Sequence, residues 1–217
     1  DLRQSIYGVT SPFVRAGIHI SGRTRVLRTN FRNTRQIAGA AARFYETAAE
    51  PTYAFRDGPD PELHVAATGD DLLPLLLAKL QLFTDRLEYE PDNISVLAPH
   101  KAEVDRLLAA LREAGFQASA MIAPEFAFDQ AGAIRVSTLH SSKGLDFPVV
   151  MLYLPYIHRR EKFDAETTER LVRNLIYVGL TRAMENLSVF VSPGSDPVLQ
   201  DLVAAIRAPA SAPAELH

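Results

Sequence analysis

Compact apolar runs alternate along this chain with longer segments whose apolar residues recur at helical spacing, and this alternation limits the fold more than any other feature. Residues 94–98, 134–138 and 149–154 are short, strand-like and rich in Val, Ile and Leu, and residues 25–28, 63–67 and 187–191 join them as further strands. Between the strands, residues 101–114 place Val104, Leu107, Leu108 and Leu111 on one helical face, and Gly115 sits where a left-handed C-terminal cap belongs. Asn33 can cap a helix through Ile37, Ala41 and Phe44. Asp70 and Asp71 open another helix, with Pro74 in or near its first turn, running to about Leu87. Residues 169–180 are helical, and Pro197 opens a last short helix ending near Arg207. The pattern predicts an α/β fold with a mostly parallel sheet and helices on both faces. Residues 119–132 form the only irregular interior stretch, and the Ala/Pro-rich residues 208–217 a flexible tail.

A chain of 217 residues with 47% hydrophobic and 23% charged residues suits one large globular domain or two small ones. Its net charge of −3 gives no global basic field, so nucleic acid must be gripped along a local strip or with help from another lobe. The absence of cysteine excludes disulfides, thiol catalysis and Cys-ligated zinc, and suits a reducing, cytoplasmic setting. No apolar run approaches the roughly 18 residues that a membrane span needs, and the N-terminus has no signal-peptide pattern. A polar start without Met is expected of a fragment of a longer protein.

Four segments concentrate the reactive side chains. They are Gln4-Ser5-Ile6-Tyr7-Gly8; the strand-to-helix passage from Leu27 to Thr34, which holds Phe31 and Arg32; the run from Val136 to Val150, which holds Thr138, His140, Lys143, Gly144 and Asp146; and the run from Leu175 to Ala183, which holds Arg182. Each has a purely structural reading. The first is a polar turn, Arg32 is a solvated charge, Lys143-Gly144 is a common turn, and Arg182 complements a helix C-terminus. Taken together they say more. Ligands gather at the carboxyl ends of strands in parallel sheets, and Arg32, the loop from His140 to Asp146 and Arg182 are all expected along that edge. Two arginines there would clamp a phosphoryl group, and a Lys-Gly loop flanked by hydroxyls offers charge and N–H groups to a phosphodiester.

In this order the four segments resemble motifs III, IV, V and VI of the UvrD/Rep/PcrA family of superfamily 1A DNA helicases, over nearly the whole chain. The resemblance implies a RecA-like (P-loop NTPase-like) three-layer fold. It implies that residues 1–11 end a preceding lobe and residues 12–207 form the C-terminal RecA-like lobe. Gln4 would sense the γ-phosphate of ATP, Phe31 would stack on adenine, and Arg32 and Arg182 would act as arginine fingers. Gly144 and Asp146 would lie on the nucleotide, with Asp146 where the family has a ribose-contacting Glu. Thr138, His140 and Lys143 would contact single-stranded DNA. No Gly-x-x-x-x-Gly-Lys-Ser/Thr loop and no acidic Walker B strand occur in the chain. ATP with Mg²⁺ is therefore expected to be held mainly by an N-terminal RecA-like lobe of the same polypeptide, and this chain alone is expected to be inactive.

Two departures stand out. Val9 and Thr10 replace an aromatic and an arginine that the family carries, and only residues 116–132 stand where it inserts a helical 2B subdomain. A second reading follows from them: a non-catalytic RecA-like module that docks partners or regulates a neighbouring domain. An unrelated nucleotide enzyme or a hydrolase is disfavoured, because neither a Gly-x-Gly-x-x-Gly fingerprint nor a Gly-x-Ser-x-Gly elbow is present.

Overall fold

The computed structural model describes residues 29–45, 53–121, 131–159 and 163–208. The expected strand at 25–28, the segment at 1–11 and most of the tail lie outside these residues. In chain order the elements are β1 (Thr29–Thr34), α1 (Arg35–Phe44), β2 (Tyr53–Arg56), β3 (Glu62–Val65), α2 (Gly69–Asp85), β4 (Ile94–Ala98), α3 (Lys101–Glu113), β5 (Ala118–Ala120), β6 (Ile134–Thr138), β7 (Phe147–Leu154), α4 (Ala165–Leu180), β8 (Ala183–Val191) and α5 (Pro197–Arg207). Six strands form one sheet in the order β3-β8-β7-β4-β6-β5, and β1 pairs with β2 separately. Every pairing is parallel.

Strand alternation sorts the core into two layers. Leu97, Leu152, Val150, Val189 and Val191 face a cluster built with α1, α4 and α5. Val96, Val149, Met151, Tyr153 and Phe190 face a second cluster built with α2 and α3. The central strand β4 is buried at all five positions, which is why Ile94–Ala98 is apolar except at Ser95. The edge strands β3 and β5 have only four and three residues, too short to template pairing with another chain. This is the three-layer α/β arrangement that the alternation predicts.

Several boundaries differ from expectation for local reasons. Asn33 does not cap α1. Thr34 does, its hydroxyl accepting from Ile37 N at 3.4 Å, while Asn33 is turned inward. Helix α4 begins at Ala165 rather than 169, because Asp164 accepts from Thr167 N at 2.8 Å and caps it there. Helix α2 begins at Gly69, capped by Thr68, which places Pro74 inside the helix rather than in its first turn. Strands β7 and β8 start earlier than 149 and 187, and β5 occupies the start of the expected irregular stretch. The short strand β2 carries no alternation that marks it in the sequence.

Candidate functional site

The single direction of the sheet assigns the reactive residues to two opposite edges. Asp146 and Arg182 immediately precede β7 and β8, and Phe147 pairs with Ala183, so both side chains start from the amino edge. Thr138 ends β6, while His100 follows β4 and His158 follows β7, so these three lie at the carboxyl edge. The expectation that Arg32, the His140–Asp146 loop and Arg182 share the carboxyl edge is therefore corrected. The loop starts at that edge and crosses to the other, with Leu139 buried and Leu145 packed in the core beside α4. Gly144 (φ +91°) makes the last turn before Asp146, a left-handed conformation that suits glycine.

At the amino edge one carboxylate holds two guanidinium groups. Arg32 Nε lies 2.9 Å from Asp146 Oδ2, and Arg182 Nη1 lies 3.3 Å from Asp146 Oδ1. Strand β1 is brought there by Asn33, whose Nδ2 donates to the carbonyls of Thr181 at 3.1 Å and Ala183 at 2.6 Å. The two arginines differ in setting. The Arg32 side chain is 42% exposed, whereas that of Arg182 is 1% exposed. Arg182 donates from Nε to Val178 O at 3.1 Å and from Nη1 to Leu145 O at 3.0 Å. Burial pulls the Arg182 pKa down, Asp146 opposes that shift, and Arg32 adds to it. The group still stays charged, since an arginine does not lose its proton inside a protein.

Arg56, which carries no signal in the sequence, belongs to the same edge. Its Nη2 donates to Arg32 O at 2.9 Å, and its Nε is buried with no hydrogen-bond partner. A cavity of about 310 Å³ opens beside it, lined by Thr34, Arg56, Asp57, Tyr89, Glu185 and Asn186 among others. Only contacts across the fold reveal Arg56, because β2 and β8 come together through tertiary packing.

At the carboxyl edge Thr138 and His140 line a cavity of about 350 Å³. Thr138 Oγ1 accepts from Ser141 N at 3.1 Å, which shapes the loop as it leaves the strand. Lys143 is exposed on this loop. Gln4 lies outside the described residues, and Phe31 is placed by its backbone in β1 while its side chain lies outside them. Among the described residues, no group of three or more His, Cys, Asp or Glu side chains could hold a metal ion, and no helix is long and apolar enough to cross a membrane.

Several known proteins resemble this chain. Residues 118–193 match the family described as UvrD-like helicase C-terminal domain. The proteins named ATP-dependent DNA helicase UvrD1 from Mycobacterium bovis (strain ATCC BAA-935 / AF2122/97) and Mycobacterium tuberculosis (strain ATCC 25618 / H37Rv) are each 32% identical over 129 residues, covering 55% of this chain. That match spans 15% of the length of those relatives. A solved structure described as the C-terminal domain of a possible DNA helicase from Lactobacillus plantarum WCFS1 superposes with a TM-score of 0.59 at 21% identity, covering 82% of this chain and 96% of that one. At that identity the likeness establishes the fold.

Proposed function

We propose that this chain is a UvrD-like C-terminal ATPase lobe of an ATP-dependent superfamily 1 DNA helicase or translocase, working against an N-terminal RecA-like lobe of the same polypeptide in the cytoplasm. The observation that carries this reading is the convergence of Arg32 and Arg182 on Asp146 at the amino edge. Two guanidinium groups share one carboxylate, so the edge keeps a net positive charge for an anion. The partnerless Arg56 Nε beside them adds a buried donor. These residues fit a polyphosphate held on a facing lobe.

ATP, with Mg²⁺ bound mainly by that other lobe, supplies the phosphoanhydride free energy. This chain supplies charge and position. Arg32, exposed at the edge, meets the γ-phosphate on closure, and Arg182 stands behind it as the second finger. Asp146 holds the two like charges together in the open state. Asp146 and Gly144 border the ribose, Phe31 the adenine, and Gln4 the γ-phosphate. Thr138 and His140 at the opposite edge, with Lys143 on the loop between the edges, grip the backbone of single-stranded DNA. Residues 138–146 join the two edges in one short stretch, so a shift at Asp146 is delivered to the strand-binding end.

The test uses the intact polypeptide. Arg32→Ala should lower single-strand-stimulated ATP hydrolysis by roughly 10³-fold with the fold preserved, the factor expected of an arginine finger. Unchanged hydrolysis would remove the assignment.

A second reading is favoured by one observation. Arg182 is buried and bonded to two carbonyls, as a purely structural arginine would be. In that reading the lobe docks partners without catalysis, and neither Arg32→Ala nor Arg182→Lys changes nucleotide turnover beyond what lost stability explains.

A further inference from the structure

Helix α2 holds more leucine than its core-facing side uses. Leu72, Leu76 and Leu80, with Phe83, are buried in the layer beside the sheet. Leu75 and Leu82 stand outside that face, each 39% exposed. They are two helical turns apart, so they lie on one line along the helix. Ala78 is exposed between them, and its small side chain lets a second helix approach closely. Lys79, the other residue at this midpoint, leaves the surface clear. Its Nζ is folded back to Glu62 Oε1 at 2.7 Å and over the Phe83 ring at 4.8 Å, and its side chain is 9% exposed.

The two ends of the line carry opposite charges. Asp71 lies in the first turn and Arg86 caps the C-terminus, about four turns further on, and both are exposed. The Thr68 hydroxyl donates to Asp71 Oδ2 at 2.6 Å, which fixes the carboxylate without neutralising it. Exposed leucines taken singly are ordinary. Here their placement is symmetric. Turned about a twofold axis between Ala78 and Lys79, Leu75 falls on Leu82 and Asp71 falls on Arg86. A twofold interface joins one patch to itself, residue i on j and j on i. An antiparallel second copy of α2 therefore brings leucine onto leucine twice and acid onto base twice.

We propose that the line Leu75, Ala78 and Leu82 is a self-association surface, on which a second copy of this chain packs its α2 antiparallel, with Asp71 of each copy paired to Arg86 of the other. The surface includes neither the amino-edge arginines nor the loop from Thr138 to Asp146, so it is independent of the proposed nucleotide and strand sites. One pair of helices falls below the roughly 1,200 Å² that stable complexes bury, so the association is weak and depends on concentration.

Sedimentation velocity of the 217-residue chain, from micromolar to millimolar concentration, should show a reversible equilibrium between monomer and dimer. Leu75→Glu enters a twofold interface twice and should weaken the dimer at least about tenfold. Circular dichroism and melting temperature should stay those of the wild type, because the position is outside the core. Asp71→Arg and Arg86→Asp should each weaken the dimer, and the double variant should recover it, because the swap rebuilds both pairs. The chain has no cysteine, so Ala78→Cys places a single thiol beside the axis. A short bismaleimide should join two such chains and should not join two chains of Gln81→Cys, an exposed position a quarter turn from Leu82. A chain that stays monomeric at millimolar concentration overturns the proposal and leaves the leucine line to another lobe of the polypeptide. A dimer that survives Leu75→Glu, or a double charge swap that fails to restore it, overturns the antiparallel packing of α2.

Discussion

The Asn33 carboxamide donates to the Ala183 carbonyl at 2.6 Å across 150 residues of sequence. With its second bond, to Thr181 O, it fixes β1 against the start of β8 and sets the distance from Arg32 to Arg182. Asn33→Ala leaves two carbonyls at the strand start without their donor. It should lower stability by about 1–3 kcal/mol in chemical denaturation. In the intact polypeptide it should also lower ATP turnover, although Asn33 itself touches no nucleotide in the proposed arrangement. Full stability in the variant would show that β1 is held by other contacts.

Asp146 separates two like charges. Asp146→Asn should cost about 1–2 kcal/mol, less than a fully buried pair would, since Asp146 and Arg32 are both partly solvated. The same change raises the local positive charge. Inorganic tripolyphosphate should therefore raise the melting temperature of Asp146→Asn more than that of the wild-type chain. An equal or smaller shift would place the anion site elsewhere.

The two arginines should separate in stability measurements. Arg32→Ala removes one end of an exposed pair and should cost less than about 1 kcal/mol. Arg182→Lys should cost about 2–4 kcal/mol, because a lysine cannot reproduce the guanidinium fork on Val178 O, Leu145 O and Asp146. Matching losses in the two variants would contradict the burial difference seen here.

Asp164 caps α4, and the Thr167 backbone N–H, followed by the Thr167 side chain, holds its carboxyl below the usual aspartate range. A depressed carboxylate stabilises the fold above its unfolded pKa and loses that contribution as pH falls through the folded one. Asn also caps helices but does not titrate. The wild-type melting temperature should thus fall more steeply than that of Asp164→Asn between about pH 4 and pH 2. Parallel curves would rule out a titrating cap.

Local chemistry was enough to place much of this fold. Ile94–Ala98, Ile134–Thr138 and Pro197–Arg207 stand where their apolar pattern and Pro197 put them, because strands covered on both faces are predominantly apolar and a proline starts a helix well. Gly115, with φ +87°, follows the end of α3 as its spacing indicated. Strand β2 was not legible, since four residues at the edge of a two-stranded sheet need no periodicity. The Asn33 position misled because asparagine is a good cap as well as a good buried donor, and only the carbonyls of Thr181 and Ala183 decide between them.

The order of elements, the two-faced sheet and the identity of the reactive side chains were thus determined by the sequence itself, through rules that act over a few residues. Which edge each side chain reaches was decided by the tertiary structure alone. A loop of eight residues between parallel strands can finish only at the amino edge of the next strand, so Thr138 and Asp146 end on opposite sides of one sheet. The burial of Arg182 and the partnerless Nε of Arg56 were decided in the same way, because each depends on segments that meet only when the sheet is assembled.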